Sequence, residues 1–108
     1  MAEREIIDSI QRYIRAVEDA GIPVSFVVLF GSHARGNTHK WSDIDLMVVS
    51  PRFDGPRVRE DISTLWYMAA RTDSRIEPIA CGLQQWSEDT SSAIIEIARR
   101  EGRQIQAA

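Results

Sequence analysis

Hydrophobic positions along this chain switch between a helical and an extended spacing. In residues 3–20, Ile6, Ile7, Ile10, Ile14 and Val17 recur every three or four positions, with Glu3, Glu5, Arg12, Arg15 and Glu18 between them. That pattern predicts one apolar stripe on a helix. Gly21 and Pro23 end it, because glycine accepts a left-handed cap and proline discourages continuation. Residues 24–30 are a nearly continuous apolar, β-branched and aromatic run, which reads as a buried strand. Residues 43–49 read as a second strand, with Asp43 and Asp45 on one face and Ile44, Leu46 and Val48 on the other. After a turn dense in breakers at 50–56, Val58, Ile62, Leu65, Trp66 and Ala69 restore helical spacing over 57–71. Trp66 is expected in the core on the apolar side of that helix, while Trp41, Tyr67 and Trp86 are expected to be partly exposed and hint at a partner surface. A third strand follows at 75–80, and a last helix over about 88–101. Glu88 and Asp89 suit the positive end of that helix, Arg99 and Arg100 its negative end, and Gly102 its cap.

The order is α-β-(turn or short α)-β-α-β-α, an α/β (α+β) arrangement of a small mixed sheet flanked by helices. The short connection between the first two strands predicts an antiparallel pair. The helix before the third strand predicts a crossover to a parallel neighbour. Pro78 cannot donate to a ladder, which places the third strand at an edge or limits its pairing there.

Length and composition narrow the field. A chain of 108 residues with 44% hydrophobic and 27% charged residues is expected to be one soluble globular domain, residues 1–108. A formal charge of −3 argues against broad nucleic-acid binding. The lone Cys81 excludes an internal disulfide, and no Cys/His cluster suggests zinc. Without a signal peptide or a membrane-length apolar run, a cytoplasmic location is expected. Arg52, Arg57, Arg59 and Arg71 read as a solvated basic face, with contact to an acidic partner as the sharper alternative.

Chemistry concentrates in Leu29-Phe30-Gly31-Ser32-His33-Ala34-Arg35-Gly36 and, ten residues after Ser32, Asp43-Ile44-Asp45. A small turn closes one apolar strand and an acid pair opens the next. Moving a nucleotide needs donors for the triphosphate and carboxylates for a divalent metal. Two carboxylates on one strand face repel each other, and Mg²⁺ relieves that conflict while keeping room for phosphate oxygens. A parallel third strand would bring Glu77 beside them, with Asp73 as a weaker substitute. The plainer readings are solvent-facing aspartates after a polar loop, and Glu77 as an edge residue paired with Arg75. Arg35 is placed to neutralise triphosphate charge, or else to make a structural ion pair. His33 and His39 receive no role.

This run resembles the signature of the DNA polymerase beta-like nucleotidyltransferase superfamily. Its extended form, Gly-Ser-His-Ala-Arg-Gly with Ser-Asp-Ile-Asp-Leu, is most similar to the minimal nucleotidyltransferases of bacteria and archaea, the MntA-type antitoxins. The specific motif spans residues 29–49. The resemblance implies the polymerase beta-like nucleotidyltransferase fold. It also implies Asp43, Asp45 and a third acid, here Glu77, as catalytic ligands of two Mg²⁺ ions, and Gly31, Ser32 and Arg35 as nucleotide-binding residues. The third acid of the family is usually Asp, one methylene shorter than Glu77. The implied activity is transfer of AMP from ATP to a tyrosine hydroxyl of a HEPN-domain ribonuclease toxin, with release of pyrophosphate. Two other readings stay open: a non-catalytic module that silences its partner by occlusion, and a small-molecule nucleotidyltransferase, which the missing acceptor domain disfavours.

Overall fold

The computed structural model describes residues 2–31, 33 and 42–107. Helix α1 (Ala2–Asp19) leads into strands β1 (Phe26–Phe30) and β2 (Ile44–Ser50). A single 3-10 turn (Pro51–Phe53) follows, then helix α2 (Arg59–Thr72) and strand β3 (Ile76–Gly82). The chain closes with helices α3 (Leu83–Glu88) and α4 (Ala93–Glu101) and strand β4 (Arg103–Ile105). The sheet order is β3-β2-β1-β4. As expected, β1 and β2 are antiparallel, β2 and β3 are parallel, and β3 with its Pro78 lies at an edge. No helix among the described residues is long and apolar enough to cross a membrane.

Strand alternation divides the core into two layers. On one face, Val27, Leu29, Ile44, Leu46, Val48 and Ile76 meet Ile6, Ile10, Ile14 and Val17 of α1 and Leu65 and Ala69 of α2. Tyr13 is fully buried in this layer, and its hydroxyl donates to the Leu65 carbonyl at 2.9 Å. Burial pushes that phenol far above its ordinary value. On the other face, Val28, Phe30, Met47, Val49 and Cys81 pack beneath Ile95 and Ala98 of α4. Asp43, Asp45 and Glu77 belong by alternation to this second face.

Helix α2 departs from its expected orientation. Its inward residues are Asp61, Leu65 and Ala69, so Trp66, about 100° further round, points outward and is 49% exposed. The expected burial of Trp66 is therefore wrong, whereas Tyr67 is exposed as expected. The buried Asp61 is compatible with this orientation because Arg52 grips both of its oxygens, Nε to Oδ2 at 2.8 Å and Nη2 to Oδ1 at 3.0 Å. The same guanidinium reaches the Gly21 carbonyl at 3.1 Å, so Arg52 is a clamp rather than part of a purely solvated basic face.

The C-terminal elements also differ from expectation. The polar stretch at 83–88 forms α3, whose first amides, from Gln84 and Gln85, donate to Asp54. Asp89 accepts from the amides of Ser91 and Ser92, and these bonds hold its carboxyl down at about 2. That turn delays the last helix, which Ser92 caps by accepting from the Ile95 amide. Arg103 to Ile105 then pairs antiparallel with β1 as a short fourth strand, which the hydrophobic pattern did not predict.

Candidate functional site

The register of the three adjoining strands gathers most of the predicted residues. In the antiparallel pair Phe30 lies opposite Asp45, so Gly31, the next residue, turns directly above the acid. Its φ of 76° lies in the left-handed region that suits glycine. A Cβ built there would overlap the Oδ2 of Asp45 and stand 3.1 Å from its Cγ. Glycine is needed twice over, for the backbone turn and for the approach of the carboxylate. In the parallel pair Asp45 lies opposite Glu77, and the Ile44 amide donates to the Arg75 carbonyl at 2.8 Å, extending the ladder toward Asp43.

Asp43, two residues before Asp45, reaches across to Glu77 with a side-chain hydrogen bond. Of the acids gathered here, Glu77 is the one whose proton affinity is raised. The hydrogen bond with Asp43 contributes most, followed by desolvation and then by the negative charges of Asp43 and Asp45. Asp43 is exposed, while Asp45 and Glu77 are half-buried.

Three hard oxygen donors on adjacent strand starts are the donor chemistry that suits Mg²⁺. The approach of Asp43 to Glu77 marks the place where a cation would relieve the repulsion between carboxylates. As they stand, no three His, Cys, Asp or Glu side chains among the described residues form a ready-made metal cage. The acids would have to close around an ion.

Asp73, the substitute third acid, is engaged elsewhere. Arg75 binds it through Nε at 3.0 Å and Nη2 at 2.6 Å, which holds its carboxyl below the usual range. That pair also bears on the plainer reading of Glu77 as an edge charge paired with Arg75, since the groups acting on Glu77 are acids. Ser32 and Arg35, and with them His39 and Trp41, lie outside the described residues. His33 approaches the Ser42 carbonyl with its Nε2 at 3.4 Å, linking the glycine turn to the residue before Asp43. The local hydrophobic pattern carries no signal for that contact, because it joins residues nine apart across a turn.

The chain is similar to known proteins in sequence family and in fold. A family model described as a nucleotidyltransferase domain matches residues 10–100. No curated protein matches the chain. Among solved structures, a candidate nucleotidyltransferase from Sulfolobus solfataricus superposes with a TM-score of 0.62 at 18% identity, over 93% of this chain and 78% of its own. A toxin–antitoxin crystallised with AMP-PNP gives 0.60 at 21% identity, over 91% and 73%. A mutant MntA–HpeT toxin–antitoxin gives 0.57 at 22% identity, over 88% and 69%.

Proposed function

This chain belongs to the nucleotidyltransferase domain family, and from that premise we propose that it moves AMP from ATP to a tyrosine hydroxyl of a HEPN-type ribonuclease toxin, acting as its antitoxin. The observation that carries the reading is the meeting of Gly31, Asp45, Glu77 and Asp43 at adjoining strand ends. The similar folds of a toxin–antitoxin bound to AMP-PNP and of an MntA–HpeT pair support the choice of nucleotide and partner.

Each residue has a distinct task in this proposal. The backbone at Gly31, the Ser32 hydroxyl and the Arg35 guanidinium hold the triphosphate, with charge-assisted donors favouring the anionic phosphates. Asp43, Asp45 and Glu77 are the residues that would hold Mg²⁺, which supplies positive charge at the phosphates and makes a hydroxyl more acidic. The tyrosine oxygen attacks the α-phosphorus, the bond from that phosphorus to the β-phosphate oxygen breaks, and pyrophosphate leaves. The hydroxyl proton passes to Glu77, acting as general base. Positioning and electrostatics carry the rate, with no covalent enzyme intermediate.

A second reading is a module that silences its partner by occlusion. It is favoured by the Asp43–Glu77 hydrogen bond, which holds two of the acids against each other. One experiment separates the two. The purified chain is incubated with the product of the neighbouring reading frame, Mg²⁺ and each nucleotide in turn, and intact masses are recorded. Transfer adds AMP less one water to the partner with ATP alone, and Asp45→Asn abolishes it. An unmodified partner whose ribonuclease activity is nonetheless silenced would establish occlusion.

A further inference from the structure

Only Asp73, Ser74 and Arg75 join α2 to β3, and their polar groups close on one another. The Asp73 amide donates to the Ala69 carbonyl at 2.9 Å, and the Asp73 carbonyl accepts from the Ile76 amide at 3.0 Å. The Asp73 carboxylate accepts from the Arg75 amide at 3.1 Å, besides the two bonds it takes from the same residue's guanidinium. The side chains of Asp73 and Arg75 are only 11% and 29% exposed, so water screens this pair less than a surface one. Ser9 of α1, itself buried, adds a further side-chain hydrogen bond to Asp73. The end of α2, the middle of α1 and the start of β3 are thereby fastened at one carboxylate.

That fastening lies one ladder bond from the acid site. The Arg75 carbonyl accepts from the amide of Ile44, the residue between Asp43 and Asp45. Glu77 comes two residues after Arg75, opposite Asp45. Because β3 is an edge strand, β2 alone pairs with it, and its first residues open more easily than those of a strand held on both sides. On the other side of Glu77, Pro78 confines the residue before it to extended backbone. The Glu77 carboxylate is therefore aimed by a rigid residue after it and a clasped turn before it. A second arginine–aspartate pair supplies the contrast. Arg52 follows the far end of β2 and ties Asp61 of α2 to the Gly21 carbonyl, away from the strand starts that carry the acids.

We propose that Asp73 and Arg75 are positioning residues for Glu77, their clasp setting the start of β3 so that the Glu77 carboxylate meets Asp43 and Asp45 around one cation. The proposal rests on the reading above that these three acids hold a divalent ion. Both residues act through Glu77, without touching nucleotide or ion. Supporting contacts of this kind typically change metal affinity or activity by ~10–100-fold.

The test reads metal binding and transfer separately. The purified chain is titrated with Mn²⁺ alone, followed by loss of the free-ion paramagnetic resonance signal. Transfer is measured with ATP, Mg²⁺ and the product of the neighbouring reading frame. Asp73→Ala should weaken Mn²⁺ binding and lower kcat, each ~10–100-fold. The KM for ATP should stay near parental, because Gly31, Ser32 and Arg35 hold the triphosphate. Asp73→Asn keeps an oxygen for the Arg75 amide and should recover part of both losses, and it replaces the alanine variant if thermal melts show that one unfolded. Arg52→Ala should lower Tm yet keep parental Mn²⁺ affinity and kcat well below its melting temperature. Adding Asp73→Ala to Glu77→Gln should cause no further loss, since a residue that acts through Glu77 then has nothing to position.

Parental Mn²⁺ affinity and kcat in a folded Asp73 variant overturn the clasp, even if transfer is robust. So do losses that Arg52→Ala matches, or losses that add in full to those of Glu77→Gln. Where the parent shows only one of the two signals, that signal decides. If Asp73→Ala weakens Mn²⁺ binding but the parent never modifies the partner, the clasp stands and the transfer reading falls. A parent that neither binds Mn²⁺ nor transfers nucleotide overturns both, because Glu77 then has no ion to be positioned for.

Discussion

Replacing Gly31 by alanine probes the junction between the turn and the acid pair. An L side chain in the left-handed region costs about 1–2 kcal/mol. Restricting the unfolded chain offsets about 0.4–1 kcal/mol of that, so the backbone contributes a net loss of about 1 kcal/mol. The new Cβ also overlaps the Oδ2 of Asp45, with Cγ at 3.1 Å and the Cβ of Asp45 at 3.3 Å. Rotating the carboxylate cannot relieve a contact with its own Cβ, and a displaced or off-rotamer Asp45 adds about 1 kcal/mol. The total of about 2 kcal/mol lowers Tm by roughly 8–16 °C in a protein of this size. Gly21 provides the control, because its φ of 100° is also left-handed but a Cβ there meets nothing within 4 Å. Gly21→Ala should lose only the backbone part, roughly 4–8 °C. Thermal unfolding followed by circular dichroism checks both, and adding Asp45→Ala to Gly31→Ala completes a double-mutant cycle. The carboxylate's share of the steric part appears there as a coupling of up to about 1 kcal/mol, since alanine keeps the Cβ of residue 45. Equal losses for Gly21→Ala and Gly31→Ala, with no coupling to Asp45, would refute the argument that the turn is shaped around the acid.

Glu77→Gln removes a base and a negative charge at nearly constant size, and transfer should fall ~10²–10⁴-fold in a mass-based rate assay. Because folding raises the proton affinity of Glu77, its contribution to stability is greatest below the ordinary value of 4.5 and is lost as pH rises through the folded value. Urea titrations across that window should show a flatter pH dependence for Glu77→Gln than for the parent, and identical profiles would contradict the carboxyl pair. Tyr13→Phe deletes the hydroxyl that donates to Leu65 at 2.9 Å and should cost about 1 kcal/mol in urea unfolding. Arg52→Ala leaves Asp61, 6% exposed, without its guanidinium. With the Arg52 side chain itself 45% exposed, solvent screening limits the expected loss to about 1–2 kcal/mol. Arg52→Lys should recover only part of it, because an ammonium cannot make the paired contact.

Which predicted features survive contact with the fold depends on the range of the interactions behind them. The two-residue period alone places Asp43 and Asp45 on one face of β2, and the short connection alone makes β1 and β2 antiparallel. The sequence of Pro78 correctly implies an edge strand. Trp66 shows where the local pattern runs out. Spacing allows the apolar stripe of α2 to be centred on Leu65 or on Trp66, and the choice falls to Leu65 because Arg52, from a separate turn, neutralises Asp61 on the inward side. No window on α2 contains Arg52. The fourth strand was illegible for a related reason: Arg103 and Gln104 carry no strand signal, and only pairing with Val28 and Leu29 orders them.

By itself, then, the sequence determined what short-range stereochemistry dictates: the elements that bury long apolar runs, a turn at Gly31 and the shared face of the two aspartates. Tertiary structure decided what depends on register and on partners distant in the chain. It set Glu77 opposite Asp45 and within reach of Asp43, drew Asp73 away to Arg75 and turned Trp66 and Tyr67 outward. The physical reason is that strand pairing and ion pairing are fixed by the closing of the whole core, where moving one strand by a single residue would carry Glu77 to the opposite face of the sheet.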